Sequence, residues 1–291
     1  EVEAHYQRFG GVSPINRQCR ELIEAIRPHV DLPIYWGNRN WHPFLADTLR
    51  RMAADGVRRA AAFITSAYSS YSSCRQYLDD IARAREQVPD APEVVRLRHY
   101  FDHPAFVAAF ADHAAQALER IPGHLRDRAR LVFTAHSIPL SMAATASPWG
   151  GGYEVQLRRV AGLVADRLGW RGDWDLVWQS RSGPPHVPWL EPDVCDHLRA
   201  LGKEGVPAVV LVPIGFVTDH MEVMYDLDVE AAGVARELGM AFARAATAGT
   251  HPRFAAMVAD LLAEPEPVNC PAFCCPAPAR PGRSRPSPAG G

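Results

Sequence analysis

The sequence predicts an α/β protein of two Rossmann-like domains, each a parallel sheet flanked by helices. Short β-branched or apolar runs alternate with longer helical patterns from about residue 30 to residue 263, which is what successive βαβ units produce. A passage with Pro122 and Gly123, ERIPGHLRDRAR (119–130), then divides the chain so that each half keeps its own units. The length of 291 residues, with 47% hydrophobic and 22% charged, suits about two globular domains.

The elements follow in order. Candidate strands are DLPIYWG (31–37), VRRAAAFIT (57–65), VVRLRHY (94–100), RLVFTAH (130–136), DLVWQS (175–180), PAVVLVPI (207–214) and GMAFARA (239–245). Helical patterns lie between them near 42–55, 74–87, 104–120, 152–169, 191–202, 219–237 and 251–263. The expected organisation is a first domain over 1–120, a second over 121–250, a C-terminal helix and cysteine segment over 251–275, and a disordered tail over 276–291. That tail, rich in Pro, Ala, Arg, Gly and Ser, cannot bury enough apolar surface to order itself. The chain has no initiating Met and opens inside a helical pattern, EVEAHYQRFG, so an N-terminal segment is expected to be missing.

Composition narrows the function. A net charge of -2 provides no overall basic field for nucleic acid or an anionic membrane. The longest apolar runs, such as AVVLVPIGFV (208–217), fall short of a bilayer span, and the start carries no secretion pattern. A cytoplasmic protein without an integral membrane segment is the expectation.

In open α/β sheets ligands sit beyond the carboxyl ends of the strands, and three such ends carry unusual polar groups. FTAHSIPLSMA (133–143) ends its strand at His136, VWQSRSGPPHVPWLEP (177–192) at Gln179, and LVPIGFVTDHMEVMYDLDVE (211–230) leads into an acidic helix. Glu222, Asp226 and Glu230 follow one another at four-residue spacing, which on a helix aligns like charges that repel by a few tenths of a kcal/mol per pair. Such a stripe reads either as a solvated face or as a carboxylate track toward His136, and His136 either as a hydrogen-bonded cap or as a proton acceptor and metal ligand. A histidine facing carboxylates would suit a divalent transition metal in transit rather than a closed structural zinc.

The six cysteines are Cys19, Cys74, Cys195, Cys270, Cys274 and Cys275. NCPAFCCPAP lacks the paired C-x-x-C spacing of zinc knuckles, and its spacing alone leaves exposed thiols and a metal cluster as equal readings.

FTAHSIPLSMA (133–143), WQSRSGPPHVPWLEP (178–192) and VPIGFVTDHMEVMYDLDVE (212–230), with weaker matches in FGGVSPIN (9–16) and YWGNRNWHPFLADTL (35–49), resemble the ferrochelatase family in order and register. The resemblance implies a chelatase-type fold and insertion of Fe²⁺ into a free-base porphyrin in haem biosynthesis. Within it, His136 accepts pyrrole protons and meets the metal, Glu222 faces it across the cleft, and Asp226 and Glu230 extend a metal or proton path. Ser13, Arg39, Tyr71, Ser72, Arg75, Trp149, Trp189 and Phe216 are the candidate porphyrin contacts. It also implies a [2Fe–2S] cluster on Cys74, Cys270, Cys274 and Cys275, four thiolates as such a cluster requires, leaving Cys19 and Cys195 as ordinary buried thiols.

The composition and C-x₃-C-C tail resemble actinobacterial members that act on coproporphyrin III, with protoporphyrin IX as the alternative substrate. A monomer is expected, with haem-pathway enzymes as the implied partners. The chain departs from the family at its start, where members carry a strand and a glycine-containing loop; that puts activity of the present chain in question. Two rival readings are a cobalt chelatase, expected to use a histidine pair where Glu222 stands here, and a catalytically inactive haem- or iron–sulfur-binding relic.

Overall fold

The computed structural model describes residues 14–266, 270–271 and 273–278. Ser13, the helical pattern at 1–10 and the tail beyond residue 278 lie outside the described residues. Among the described residues no helix is long and apolar enough to cross a membrane.

Helix α1 (Ile15–Ile26), absent from the helical patterns above, turns Leu22 and Ile26 inward. It is followed by α2 (Leu45–Ala54), β1 (Arg59–Ala62), α3 (Gln76–Glu86) and β2 (Glu93–Arg96). β1 and β2 pair in parallel as a two-stranded sheet. Leu49 and Met52 of α2 meet Ala84 of α3 and Val88 in a small core beside it. Among the described residues the expected strand at 31–37 forms no ladder; the nearest pairing is an isolated bridge between Asn38 and Phe44. Pro33 removes one donor, and apolar alternation cannot supply a neighbouring strand.

The second sheet has four parallel strands in the order β4 (Trp174–Gln179), β3 (Ala129–His136), β5 (Ala208–Val212), β6 (Ala241–Arg244). All five residues of β5 are buried, as expected of a parallel strand covered on both faces. Alternate side chains of β3 separate the two cores. Leu131, Phe133 and Ala135 face the layer of α4 (Pro104–Glu119), α6 (Gly152–Leu168) and α9 (Pro252–Ala263). Val132 faces α7 (Val194–Lys203) and α8, which runs through 221–237. Although α4 precedes the joint at 119–130, it packs on this four-stranded sheet.

Two local features shape the carboxyl edge. After β3 the short helix α5 (Leu140–Ala144) begins at Pro139. α8 opens with an α turn (Met221–Val223), winds as a π-helix over Met224–Ala231, and closes as α-helix over Ala232–Glu237. The N–H of Ala232 donates to the carbonyl of Leu227, five residues back. The π-helix is rare, and where it occurs it is frequently at functional sites.

Candidate functional site

β3 delivers His136 to the carboxyl edge and the loop after β5 delivers Glu222 beside it. Gly215 permits this approach: a Cβ there would lie 2.5 Å from the Cβ of Ala135, so any larger residue would push the loop off the end of β3. The Tyr68 hydroxyl donates to the Ile214 carbonyl at 2.8 Å, and the Tyr153 hydroxyl to the His136 carbonyl at 2.9 Å. Both phenols are fully buried and burial holds them well above the usual tyrosine range, so they remain donors.

The His136 ring Nδ1 meets the Ser137 carbonyl. A carbonyl only accepts, so Nδ1 carries a hydrogen, and in the neutral ring Nε2 is the nitrogen that holds the lone pair. Nε2 stands 3.7 Å from Oε2 of Glu222. Solvent reaches 53% of the Glu222 side chain, yet the cleft walls desolvate the carboxyl and raise its pKa; His136 opposes that shift and Asp226 reinforces it.

Asp226 is raised as well, by burial, against hydrogen bonds from Ser180 and Gln179. The Ser180 hydroxyl and the Gln179 amide, the latter at 3.3 Å, both donate to Oδ2 of Asp226. Ser180 reaches it from a left-handed backbone at φ 60°, uncommon for a non-glycine residue and typical of constrained functional positions. Glu230 lies farther along the same stripe, on the exposed surface.

His220 lies next to this pair. Its Nδ1 accepts from the Glu222 N–H at 3.2 Å, its ring meets Phe216 edge-on at 5.1 Å, and burial, with His136 nearby, lowers its pKa to about 4. It is therefore neutral near pH 7. His220, Ser180 and Gln179 were absent from the predicted site; the position of Gln179 at a strand end was the one signal pointing to them.

The predicted metal set does not close on a single point: among the described residues no group of three or more His, Cys, Asp or Glu side chains is arranged to hold one ion. What the structure brings together is a basic nitrogen and a carboxylate able to accept protons or hold a cation between them, with a second carboxylate behind. The predicted porphyrin contacts do not fall in one place. Tyr71 and Ser72 lie on a π-helical turn, Tyr71–Arg75, and the Ser72 hydroxyl approaches the Met142 sulfur at 3.8 Å. Trp189 packs its ring on Gly183, where a Cβ would come within 2.5 Å, and its indole N–H is buried without a partner. Trp149 is 82% exposed, whereas Phe216 belongs to the buried core. Arg39 pairs with Asp80 at 2.5 Å and lies over the Tyr77 ring at 4.4 Å. It lines a cavity of about 590 Å³ beside β1, among whose lining residues neither His136 nor Glu222 occurs.

Arg75 is engaged elsewhere: its guanidinium donates to the carbonyls of Pro271, at 2.9 Å, and Cys274, at 3.3 Å. It thereby holds the C-terminal segment against the Tyr71–Arg75 turn. There Cys74, Cys274 and Cys275 are buried together with Cys270 packed against them, none in a disulfide. The Cys274 and Cys275 sulfurs are 3.7 Å apart, and the Ser147 N–H donates to Cys275 Sγ at 3.2 Å. A hydrogen bond with Cys275 and burial push the Cys74 thiol up to about 12, while that same contact lowers Cys275. Cys195 is half-buried and also pushed up to about 12, by burial and by Asp193 and Glu230; Cys19 is half-buried and raised by burial.

A family model described as Ferrochelatase matches residues 1–266. The chain is 56% identical over 273 residues to a coproporphyrin III ferrochelatase of Nocardia farcinica, covering 91% of this chain and 77% of that protein. It is 55% identical over 269 residues to one of Mycolicibacterium smegmatis, covering 90% and 78%. Among solved structures, SirB from Bacillus subtilis with Fe³⁺ aligns with a TM-score of 0.58 at 12% identity over 84% of this chain and 87% of that one. CbiX, described as the terminal enzyme of sirohaem biosynthesis in denitrifying bacteria, aligns with a TM-score of 0.53 at 16% identity over 86% and 92%. At such identities these two show a shared fold and nothing more.

Proposed function

The chain belongs to the ferrochelatase family, and on that premise we propose that it inserts Fe²⁺ into coproporphyrin III, with His136 and Glu222 as the reacting pair. Metallation releases two pyrrole protons as the ion enters, so the cleft must provide bases at the macrocycle and a way out for the protons. His136 Nε2, with its lone pair free, takes a proton. Glu222, 3.7 Å away, accepts the second or meets the incoming cation, and Asp226 relays protons toward solvent with Glu230 as the outer member. The single observation that carries this reading is the His136–Glu222 pair at the carboxyl edge of the sheet. Tyr71, Ser72, Trp149, Trp189 and Phe216 are proposed as porphyrin-side contacts, and Arg39 as a carboxylate partner. The two sheets, with their covering helices, are proposed as two chelatase-like units.

Cys74, Cys270, Cys274 and Cys275 are proposed to hold a [2Fe–2S] cluster. Their thiols pack as one group, and four thiolates shared between two irons need no single convergence point of the kind one ion requires. Such a cluster supplies one-electron redox chemistry and a cross-link between distant segments. Arg75 keeps the tail in place for it, and the Ser147 N–H offsets negative charge on the Cys275 sulfur.

The test is metal insertion followed by absorbance with coproporphyrin III and protoporphyrin IX in parallel. Faster turnover of coproporphyrin III is expected. Faster turnover of protoporphyrin IX would reverse the substrate assignment, and no turnover of either would support the inactive relic.

A further inference from the structure

We propose that Arg244 is the positioning residue of the acid-bearing helix, a clamp that holds Glu222 opposite His136. The inference rests on the roles proposed above for those two residues. Arg244 ends β6 and is only 15% exposed. Its Nη1 donates to Asp219 Oδ1 at 2.6 Å, while Nε and Nη2 donate at 2.7 Å each to the two oxygens of Asp228. One guanidinium thus grips the loop three residues before Glu222 and, as a two-pronged fork, the π stretch two residues after Asp226.

The grip is backed on both sides. The Asp219 carbonyl accepts from the Gln18 side chain at 3.0 Å, and the Arg244 carbonyl accepts from Arg120. Asp219 and Asp228 both lie outside the four-residue stripe of Glu222, Asp226 and Glu230. Pairing them with Arg244 keeps these two further negative charges from adding to the repulsion along the helix.

The clamp acts by position. A π winding is a less favourable backbone than an α-helix and persists where tertiary contacts hold it. The charge of Arg244 is matched by two aspartates, Asp219 and Asp228. Only a rigid planar fork reaches both oxygens of Asp228 and Asp219 together; a lysine would keep the charge and lose the fork.

The test compares Arg244→Gln, Arg244→Lys, Asp228→Ala and Glu222→Gln in the full chain with coproporphyrin III and Fe²⁺. For Arg244→Gln, kcat is expected to fall at least about tenfold while the porphyrin Kd, read by fluorescence quenching, stays within about twofold. Amide exchange over 224–231 should accelerate with β3 and β5 unchanged. Arg244→Lys should recover part of kcat, and Asp228→Ala should repeat the pattern more weakly.

A wild-type kcat in Arg244→Gln, or exchange raised equally across the whole sheet, would overturn the clamp. Should Arg244→Gln fail to fold, Asp228→Ala decides alone, and a wild-type kcat there rejects the proposal. Glu222→Gln separates the two levels. If it is inactive while the Arg244 variants are normal, only the clamp is wrong. If it turns over normally, the underlying catalytic reading is wrong.

Discussion

The two ends of the β3–β4 pair treat partly desolvated carboxylates in opposite ways. Near the amino edge Asp175 accepts from His197 Nε2 at 3.0 Å and pairs with Arg130 Nε at 2.8 Å, so its pKa is lowered even though burial works against it. At the carboxyl edge Asp226 has only a hydroxyl and an amide, and Glu222 a histidine; both are raised. Desolvation acts at both ends, and what differs is whether a guanidinium answers it. The amino edge is a structural ion-pair network, in which Asp175 lies between Arg130 and His197. The carboxyl edge holds acids still in want of a proton or a metal, as a site that exchanges both requires.

The largest expected effect lies at the unsatisfied end. His136→Ala should lower iron insertion by about a hundredfold to ten-thousandfold, the range for losing a positioned base, with porphyrin binding kept. Turnover near wild type would remove His136 from the reaction. Next are the grouped thiols, where Cys274→Ser or Cys74→Ser should abolish the visible absorption of the proposed cluster, and an unchanged spectrum would refute the ligand set. Arg75→Ala should loosen the tail and expose 270–278 to proteolysis before it affects insertion.

A smaller shift tests the cause of the unsatisfied charge. The folded pKa of Glu222 is raised, so its carboxylate is lost as pH falls through a value above the ordinary glutamate range, and the acid limb of kcat/KM should lie above that range. Asp226→Asn removes a negative neighbour that helps to raise it. The limb should then move toward lower pH; a shift the other way would mean that Asp226 does not act on Glu222 through its charge.

Much of this was legible from residue pattern and some was not. β5 reads directly because a strand buried on both faces needs an unbroken apolar run, and AVVLV has no other obvious home. His136 and the acidic helix stand out because polar groups at strand ends have few structural excuses. The segment at 31–37 misleads because a strand exists only with a partner, and partners are not encoded locally. Ser180 and Arg244 were invisible for a similar reason. Ser180 reaches Asp226 across 46 residues from a left-handed turn, and Arg244 reaches back 25 residues to Asp219. The approach of Cys74 to the tail spans about 200 residues, the separation of Arg75 and Cys274 being 199. Spacing left that pairing open, and the family resemblance suggested it.

The smallest effect is expected at the ion-paired end, and it sharpens the contrast most. Asp175→Asn keeps the shape of the side chain and removes the charge that answers Arg130 and His197. Hydrogen bonds to charged groups contribute about 1.5–3 kcal/mol, and with the carboxylate 26% exposed the loss should fall at the low end of that range. The sign follows from the lowered folded pKa: the unfolded chain takes up the proton first as pH drops. The Asp175 contribution is thus complete above the ordinary aspartate range and fades as pH falls through the depressed folded value. Wild-type and Asp175→Asn proteins should therefore differ in denaturant midpoint at pH 7 and converge in strong acid, with insertion kcat equal throughout. A fall in kcat without a change in midpoint would mean that the amino edge also serves the reaction, and the division of labour between the two ends would be lost.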